Sequence, residues 1–149
     1  MIRLSSLTDI QRLYARHGEL NYGEGVTQME HALQSAALAE AHRCAPTLVA
    51  ASLLHDIGHL FEKEDEVAGF TIDHRHEATG ANALAGLFVE AVWQPVALHV
   101  AAKRYLCFKD EEYSAALSHA SQRADSSASG LLSPPPGALP GKHRATAAM

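Results

Sequence analysis

The stretch LLHDIGHLF, residues 53–61, sets His55, Asp56 and His59 into an otherwise apolar run. Such side chains resist burial unless something binds them. Two neutral imidazoles and a carboxylate within five residues, beside Gly58, suit a metal that accepts mixed nitrogen and oxygen ligands. Ten histidines in 149 residues is the one unusual figure of the composition, and three more of them extend the pattern. His31, the His55–Asp56 pair, His76 and His99 each fall on or at the end of a separate expected helix. Facing helices of a bundle build metal sites in this way, from ligands remote in sequence. His74 competes with His76 from two residues away, and only one of them need bind. His17, His42, His119 and His143 are left as ordinary surface or hydrogen-bonded histidines, the usual state of a lone His.

Helices are the elements that must hold this set. SLTDIQRLYARHG places Leu7, Ile10, Leu13, Tyr14 and His17 at helical spacing, with Thr8 and Gln11 as a capping-box pair and Gly18 as a stop. After the polar loop ELNYGEG, Thr27 and Glu30 form a second capping box for a helix that runs toward Arg43 and carries His31 in its first turns. Pro46 suits a first helical position, and the Ala- and Leu-rich run from Thr47 to His55 predicts a third, central helix ending near Gly58. EKEDEVAGFTIDHR reads as a charged connection. Helical periodicity resumes in HEATGANALAGLFVEA, and a last helix is expected from near Pro95 through VALHVAAKRYL. Alternation never persists and alanine is abundant, so strands are not expected and the fold class is all-α.

The remaining composition excludes several classes. A chain of 149 residues fits one domain, and 47% hydrophobic with 19% charged residues is ordinary for a globular chain. The net charge of -5, with Lys and Arg few and scattered, argues against a nucleic-acid surface. No run has the length of a transmembrane span or the pattern of a signal peptide, which leaves a cytoplasmic address and no membrane partner. Cys44 and Cys107 are read as reduced thiols. From Ser121 onward Ser, Pro, Gly and Ala fill most positions, and no aromatic residue follows Tyr113. Such a segment cannot build a core, so the domain is expected over residues 1–120 and a disordered or extended tail over 121–149.

The sequence resembles the HD-domain superfamily of metal-dependent phosphohydrolases and oxygenases, all-α proteins named for a His-Asp pair. The resemblance covers residues 7–121 and is carried by MEHALQSAALAE, LLHDIGHL, HEATGA and LHVAAKRYL. These segments are similar to the oxygenase branch that cleaves 1-hydroxyphosphonates, the 2-amino-1-hydroxyethylphosphonate dioxygenase type. The resemblance implies a helical bundle holding two iron ions in a mixed-valent Fe(II)/Fe(III) centre. His31 and His55 would ligate one iron, Asp56 would bridge both, and His76 and His99 would ligate the second. It further implies that His59 and Lys103 hold the phosphonate and that an acidic residue of the loop NYGEGV, Glu24, approaches the reacting end. Ser121 is taken as a further substrate contact. The chemistry of the side chains agrees with this set. A carboxylate has two oxygens with which to bridge two cations, whereas a neutral imidazole offers a metal one lone pair. His55 and His59, and likewise His99 and Lys103, stand four apart, so that a ligand and an anion contact can share a face.

One departure stands out. HD proteins usually complete the first metal site with an Asp from a later helix, where this chain has its Ser/Pro-rich tail. Asp110 and Asp125 cannot be assigned to that role, and a truncated or frameshifted C terminus or a natural divergent tail would each explain it. The first reading is therefore an iron-dependent oxygenase that uses O2 to cleave the carbon–phosphorus bond of a small organophosphonate, with one iron held tightly and the second weakly. The second is an HD phosphohydrolase acting on a phosphate ester or nucleotide through a divalent ion such as Mn, Mg or Zn. The third is a metal-binding remnant with little turnover.

Overall fold

The fold is described by a computed structural model for residues 4–23, 25–67 and 75–117. Glu24, His74, Ser121 and the whole tail from 121 to 149 lie outside the described residues. Seven helices and one small hairpin form among those described: α1 (Leu7–His17), β1 (Asn21–Gly23), β2 (Val26–Thr27), α2 (Gln28–Ala41), α3 (Pro46–Leu54), α4 (Ile57–Val67), α5 (His76–Leu84), α6 (Glu90–Lys109) and α7 (Glu111–Ala116). The all-α expectation holds, with the antiparallel β1–β2 pair as a local addition. Its strands are too short for an alternating pattern to show in the sequence. Gly25 at φ 79° lies between the strands, in the left-handed region that favours glycine.

Local signals explain most helix boundaries. Thr27 Oγ1 accepts from the Glu30 backbone N–H at 3.1 Å while Glu30 Oε2 accepts from the Thr27 N–H at 2.8 Å, the capping box read from the sequence. At α1 the box is instead Ser6 with Asp9, not Thr8 with Gln11. Asp9 Oδ2 accepts from the backbone N–H groups of Ser5 and Ser6, both at 3.0 Å. Hydrogen bonds from the Ser5 hydroxyl and the Ser5 and Ser6 backbone draw the Asp9 carboxyl down to about 2. A carboxylate at this position also faces the positive end of the helix. Arg43 closes α2 at φ 56°, with the Arg43 N–H bonded to Glu40 O and the Cys44 N–H to Ala39 O, which satisfies carbonyls left over by the last turn. Pro46 opens α3 as expected.

Three further expectations are corrected. The charged stretch after Phe61 does not begin as a connection: α4 continues to Val67, and residues 68–74 lie outside the described residues. Ile57, Leu60 and Phe61 supply a buried stripe at three- and four-residue spacing that holds the helix to the core whatever its polar side carries. Gly58 accordingly does not end a helix but lies inside α4, where a β-carbon would run into the backbone of His76, 2.6 Å from its carbonyl carbon. The last long helix starts at Glu90 rather than near Pro95, which sits within α6 and removes one ladder bond without ending it.

The elements pack in a chain of neighbours: α2 on α3, α3 on α6, α6 on α5, α5 on α4, and α4 on α1. Ile57, Leu60, Leu84 and Val96 are wholly buried where α4, α5 and α6 meet. Tyr14 ties α1 to this core by donating its hydroxyl to Leu53 O at 3.0 Å. Cys44 and Cys107 are free thiols. Among the described residues no helix is long and apolar enough to cross a membrane.

Candidate metal centre

The two residues between α3 and α4 are His55 and Asp56. An apolar helix on one side and the buried stripe of α4 on the other leave no freedom to turn this junction outward. Asp56 is 8% exposed and is the one buried charged residue among those described. Around it converge His31 from α2, His76 from the start of α5 and His99 from the middle of α6.

The two carboxylate oxygens divide these histidines. Oδ2 lies 3.1 Å from His55 Nε2 and 3.5 Å from His31 Nε2. Oδ1 lies 3.3 Å from His99 Nε2 and 3.5 Å from His76 Nε2. Within each pair the Nε2 atoms are 3.2 Å apart. Ligands held about 2.1 Å from a common ion, at tetrahedral or octahedral angles, are themselves separated by roughly 3.0–3.4 Å. Both triplets, His31–His55–Asp56 at 3.1–3.5 Å and Asp56–His76–His99 at 3.2–3.5 Å, come close to this spacing.

The tautomers fit as well. The Nδ1–H of His55 donates to Ser52 O at 2.8 Å and that of His99 to Val96 O at 2.7 Å. A carbonyl can only accept, so each ring carries its proton on Nδ1 and turns the Nε2 lone pair to the centre, the outer support common to metal-bound imidazoles. Lone pairs facing one another at this distance repel unless a proton or a cation lies between them. Burial pushes the Asp56 carboxyl up, but hydrogen bonds with His31, His55 and His99 outweigh it and hold the group well below the carboxylate range. Burial resists charge on His55 too, yet the hydrogen bond and charge of Asp56 raise it. His76 is pushed down to about 3, first by burial and then by the neighbouring His59, so its ring is neutral. An anionic carboxylate among imidazoles is a donor set that binds a divalent cation once protons leave.

The other expected residues divide into those near the centre and those outside the described residues. The His59 ring lies on that of His76, with centroids 3.9 Å apart and planes 19° from parallel. Lys103 follows His99 by one turn of α6, and its charge opposes protonation of both His55 and His76. Glu24 and Ser121 are outside the described residues, as is His74, so His76 is the histidine of that pair seen at the centre. Asp110 caps α7, accepting from the Tyr113 N–H at 3.0 Å, and belongs to neither triplet. Two neighbours were not singled out from the sequence. Tyr22 on β1 stacks on His31, centroids 3.8 Å apart, and Glu62 bonds His59. No motif marks Tyr22; Glu62 would have followed from α4, since it stands three residues after His59.

The HD domain family model matches residues 29–126. The chain belongs to the HD-domain family. Among related proteins, a hydroxymethylphosphonate dioxygenase of Gimesia maris is 45% identical over 128 residues, covering 85% of this chain and 64% of the relative. The [1-hydroxy-2-(trimethylamino)ethyl]phosphonate dioxygenase (glycine-betaine-forming) of Leisingera caerulea is 40% identical over 116 residues, 73% of this chain and 57% of the relative. An uncharacterized protein, L432, of Acanthamoeba polyphaga mimivirus is 35% identical over 124 residues, 80% of this chain and 57% of the relative. The chain thus spans less than two thirds of the length of each of these relatives. The His-Asp pair for which such domains are named is His55–Asp56, at the junction where both triplets meet.

Proposed function

We propose that this HD domain is an iron-dependent oxygenase that cleaves the carbon–phosphorus bond of a small 1-hydroxyphosphonate with O2. The observation that carries the reading is the division of the two Asp56 oxygens between two histidine pairs, which suits two ions bridged by one carboxylate. The names of the two dioxygenase relatives supply the reaction class and the substrate class. In this reading His31 and His55 would hold one iron, His76 and His99 the other, and Asp56 would offer one oxygen to each. A two-histidine, one-carboxylate set is of the kind that holds non-haem iron with open positions, and the bound ions would supply both Lewis acidity and the electrons for O2 chemistry.

The chain's own residues provide the rest. His59 on α4, stacked on His76, and Lys103 on α6, one turn after His99, would present positive charge to the phosphonate. Holding the anion there would direct the carbinol carbon toward the donor atoms around Asp56. Glu24 is assigned to the reacting end and Ser121 to a further substrate contact. For hydroxymethylphosphonate, one O2 oxidises the carbinol carbon to formate and the phosphorus leaves as phosphate, which balances all atoms without another reductant. The functional unit is read as residues 1–120, acting in the cytoplasm without a nucleic-acid or membrane partner.

The test is anaerobic loading with iron, then addition of hydroxymethylphosphonate and O2, following O2 uptake and phosphate release together. Equimolar O2 consumption and phosphate release is the expected result. Phosphate-ester hydrolysis that proceeds without O2, with no phosphonate turnover, would replace this reading by the hydrolase one.

A further inference from the structure

Glu62 stands one turn beyond His59 on α4, and its Oε2 accepts from His59 Nδ1 at 3.3 Å. Its second oxygen, Oε1, is buried with no hydrogen-bond partner among the described residues. A carboxylate with one oxygen buried and unpartnered is unfavourable for the fold, so its presence asks for another reason. The geometry of His59 supplies one. The stack on His76 fixes the plane of the ring but leaves it able to flip over about the Cβ–Cγ bond. A hydrogen bond at Nδ1 removes that freedom. The other ring nitrogen, Nε2, then has a single direction, away from Glu62.

We infer that Glu62 is a positioning residue, whose carboxylate together with the His76 ring locks the His59 imidazole so that its Nε2–H is presented to the anionic end of the substrate. The inference rests on the proposed contact between His59 and the phosphonate, while the locking of the ring is testable by itself. It also assigns a purpose to the extension of α4 beyond Phe61: without that turn of helix no acceptor would stand three residues from His59. Pre-setting a donor before the ligand arrives removes the ordering cost from the binding step.

Two variants separate the acceptor from the volume. Glu62→Gln keeps an oxygen acceptor, and Glu62→Met keeps the chain length without one. In zinc-loaded, diamagnetic protein with 13C-labelled histidine, the His59 ring resonances carry the shift imposed by the His76 stack. They are expected to stay in place in Glu62→Gln and to move toward unstacked, averaged positions in Glu62→Met. In iron-loaded anaerobic protein, titration calorimetry with hydroxymethylphosphonate is expected to show Glu62→Met and His59→Ala weakened alike, by about tenfold or more. The double variant should be no weaker than His59→Ala alone, and iron content should match the parent throughout. Unmoved His59 resonances in Glu62→Met, or equal displacement in Glu62→Gln, would overturn the positioning role. Displaced resonances with parental phosphonate affinity in His59→Ala would instead remove His59 from the substrate site and leave the locking of its ring standing.

Discussion

Adding one methyl group at Gly58 should damage the second donor set from a distance. A β-carbon built there falls 2.6 Å from the carbonyl carbon and 2.8 Å from the Cα of His76, against ordinary carbon contacts of about 3.5–4.0 Å. Both neighbours are backbone and cannot rotate away. The start of α5 must therefore retreat from α4 by about 1 Å, and His76, the first residue of α5, moves with it. Its Nε2 now stands 3.5 Å from Asp56 Oδ1 and 3.2 Å from His99 Nε2. Metal–ligand distances tolerate only about 0.2 Å, so a shift of that size costs the ion one of its ligands.

Overpacking of this kind destabilises by roughly 1–3 kcal/mol, and near 100 residues each kcal/mol lowers Tm by about 4–8 °C. Gly58→Ala is thus expected to melt well below the parent and to hold metal at Asp56, His76 and His99 at least about tenfold more weakly. Gly86→Ala is the control, because nothing lies within 4 Å of a β-carbon at that position. Thermal melts of the metal-free proteins and chelator competition after anaerobic iron loading measure the two effects. A Gly58→Ala protein with the parental Tm and parental affinity for both ions would refute the argument that close approach of α4 and α5 sets the site.

Asp56→Ala should lose both ions, since its two oxygens serve both histidine pairs, whereas His42→Ala, at an exposed position, should keep them; metal analysis of the two purified variants shows the contrast. Lys103→Ala should retain iron but raise KM for hydroxymethylphosphonate by roughly 10- to 100-fold, the usual loss for a charged hydrogen bond; parental KM would take Lys103 out of the substrate site. Asp9→Asn should alter acid stability with a defined sign. The folded-state value of about 2 lies below the ordinary 3.8, so the contribution is present above pH 3.8 and fades as pH falls toward 2. Melting curves of parent and Asp9→Asn should accordingly differ at pH 6 and converge near pH 2.

Pattern was most legible where one local interaction decides the structure. Thr27 with Glu30 and Pro46 each mark a helix start by chemistry complete within four residues, and both are found where expected. SLTDIQ holds two such pairs, Ser6 with Asp9 and Thr8 with Gln11; Ser6 prevails because Asp9 can reach back to two backbone N–H groups as well as to the Ser6 hydroxyl. Gly58 and α4 were misread for a different reason. Glycine marks helix ends often enough to mislead when its neighbour, His76, is eighteen residues away in the chain, and the charges after Phe61 hid the stripe begun by Ile57. The site was more legible than the helices that hold it. Residue type together with placement on separate expected helices singles out His31, His55, Asp56, His76 and His99, because imidazoles and a carboxylate in apolar surroundings need a partner, whereas Tyr22 and Glu62 act through ring contacts and an orientation that only three dimensions define.

The donors around Asp56 come from α2, the α3–α4 junction, α5 and α6, so an ion in the first triplet would join residue 31 to residue 56 and one in the second residue 56 to residue 99. Such an ion is a cross-link as much as a reagent. Like a disulfide closing a long loop, it restricts the unfolded chain, but its grip depends on supply. At a free concentration one hundred times Kd it adds about 2.7 kcal/mol to folding stability, a large share of what a domain of this size possesses. Metal starvation would then do more than idle the protein: it would raise the unfolded fraction open to proteolysis, and the amount of this chain in a cell would track the ion it needs.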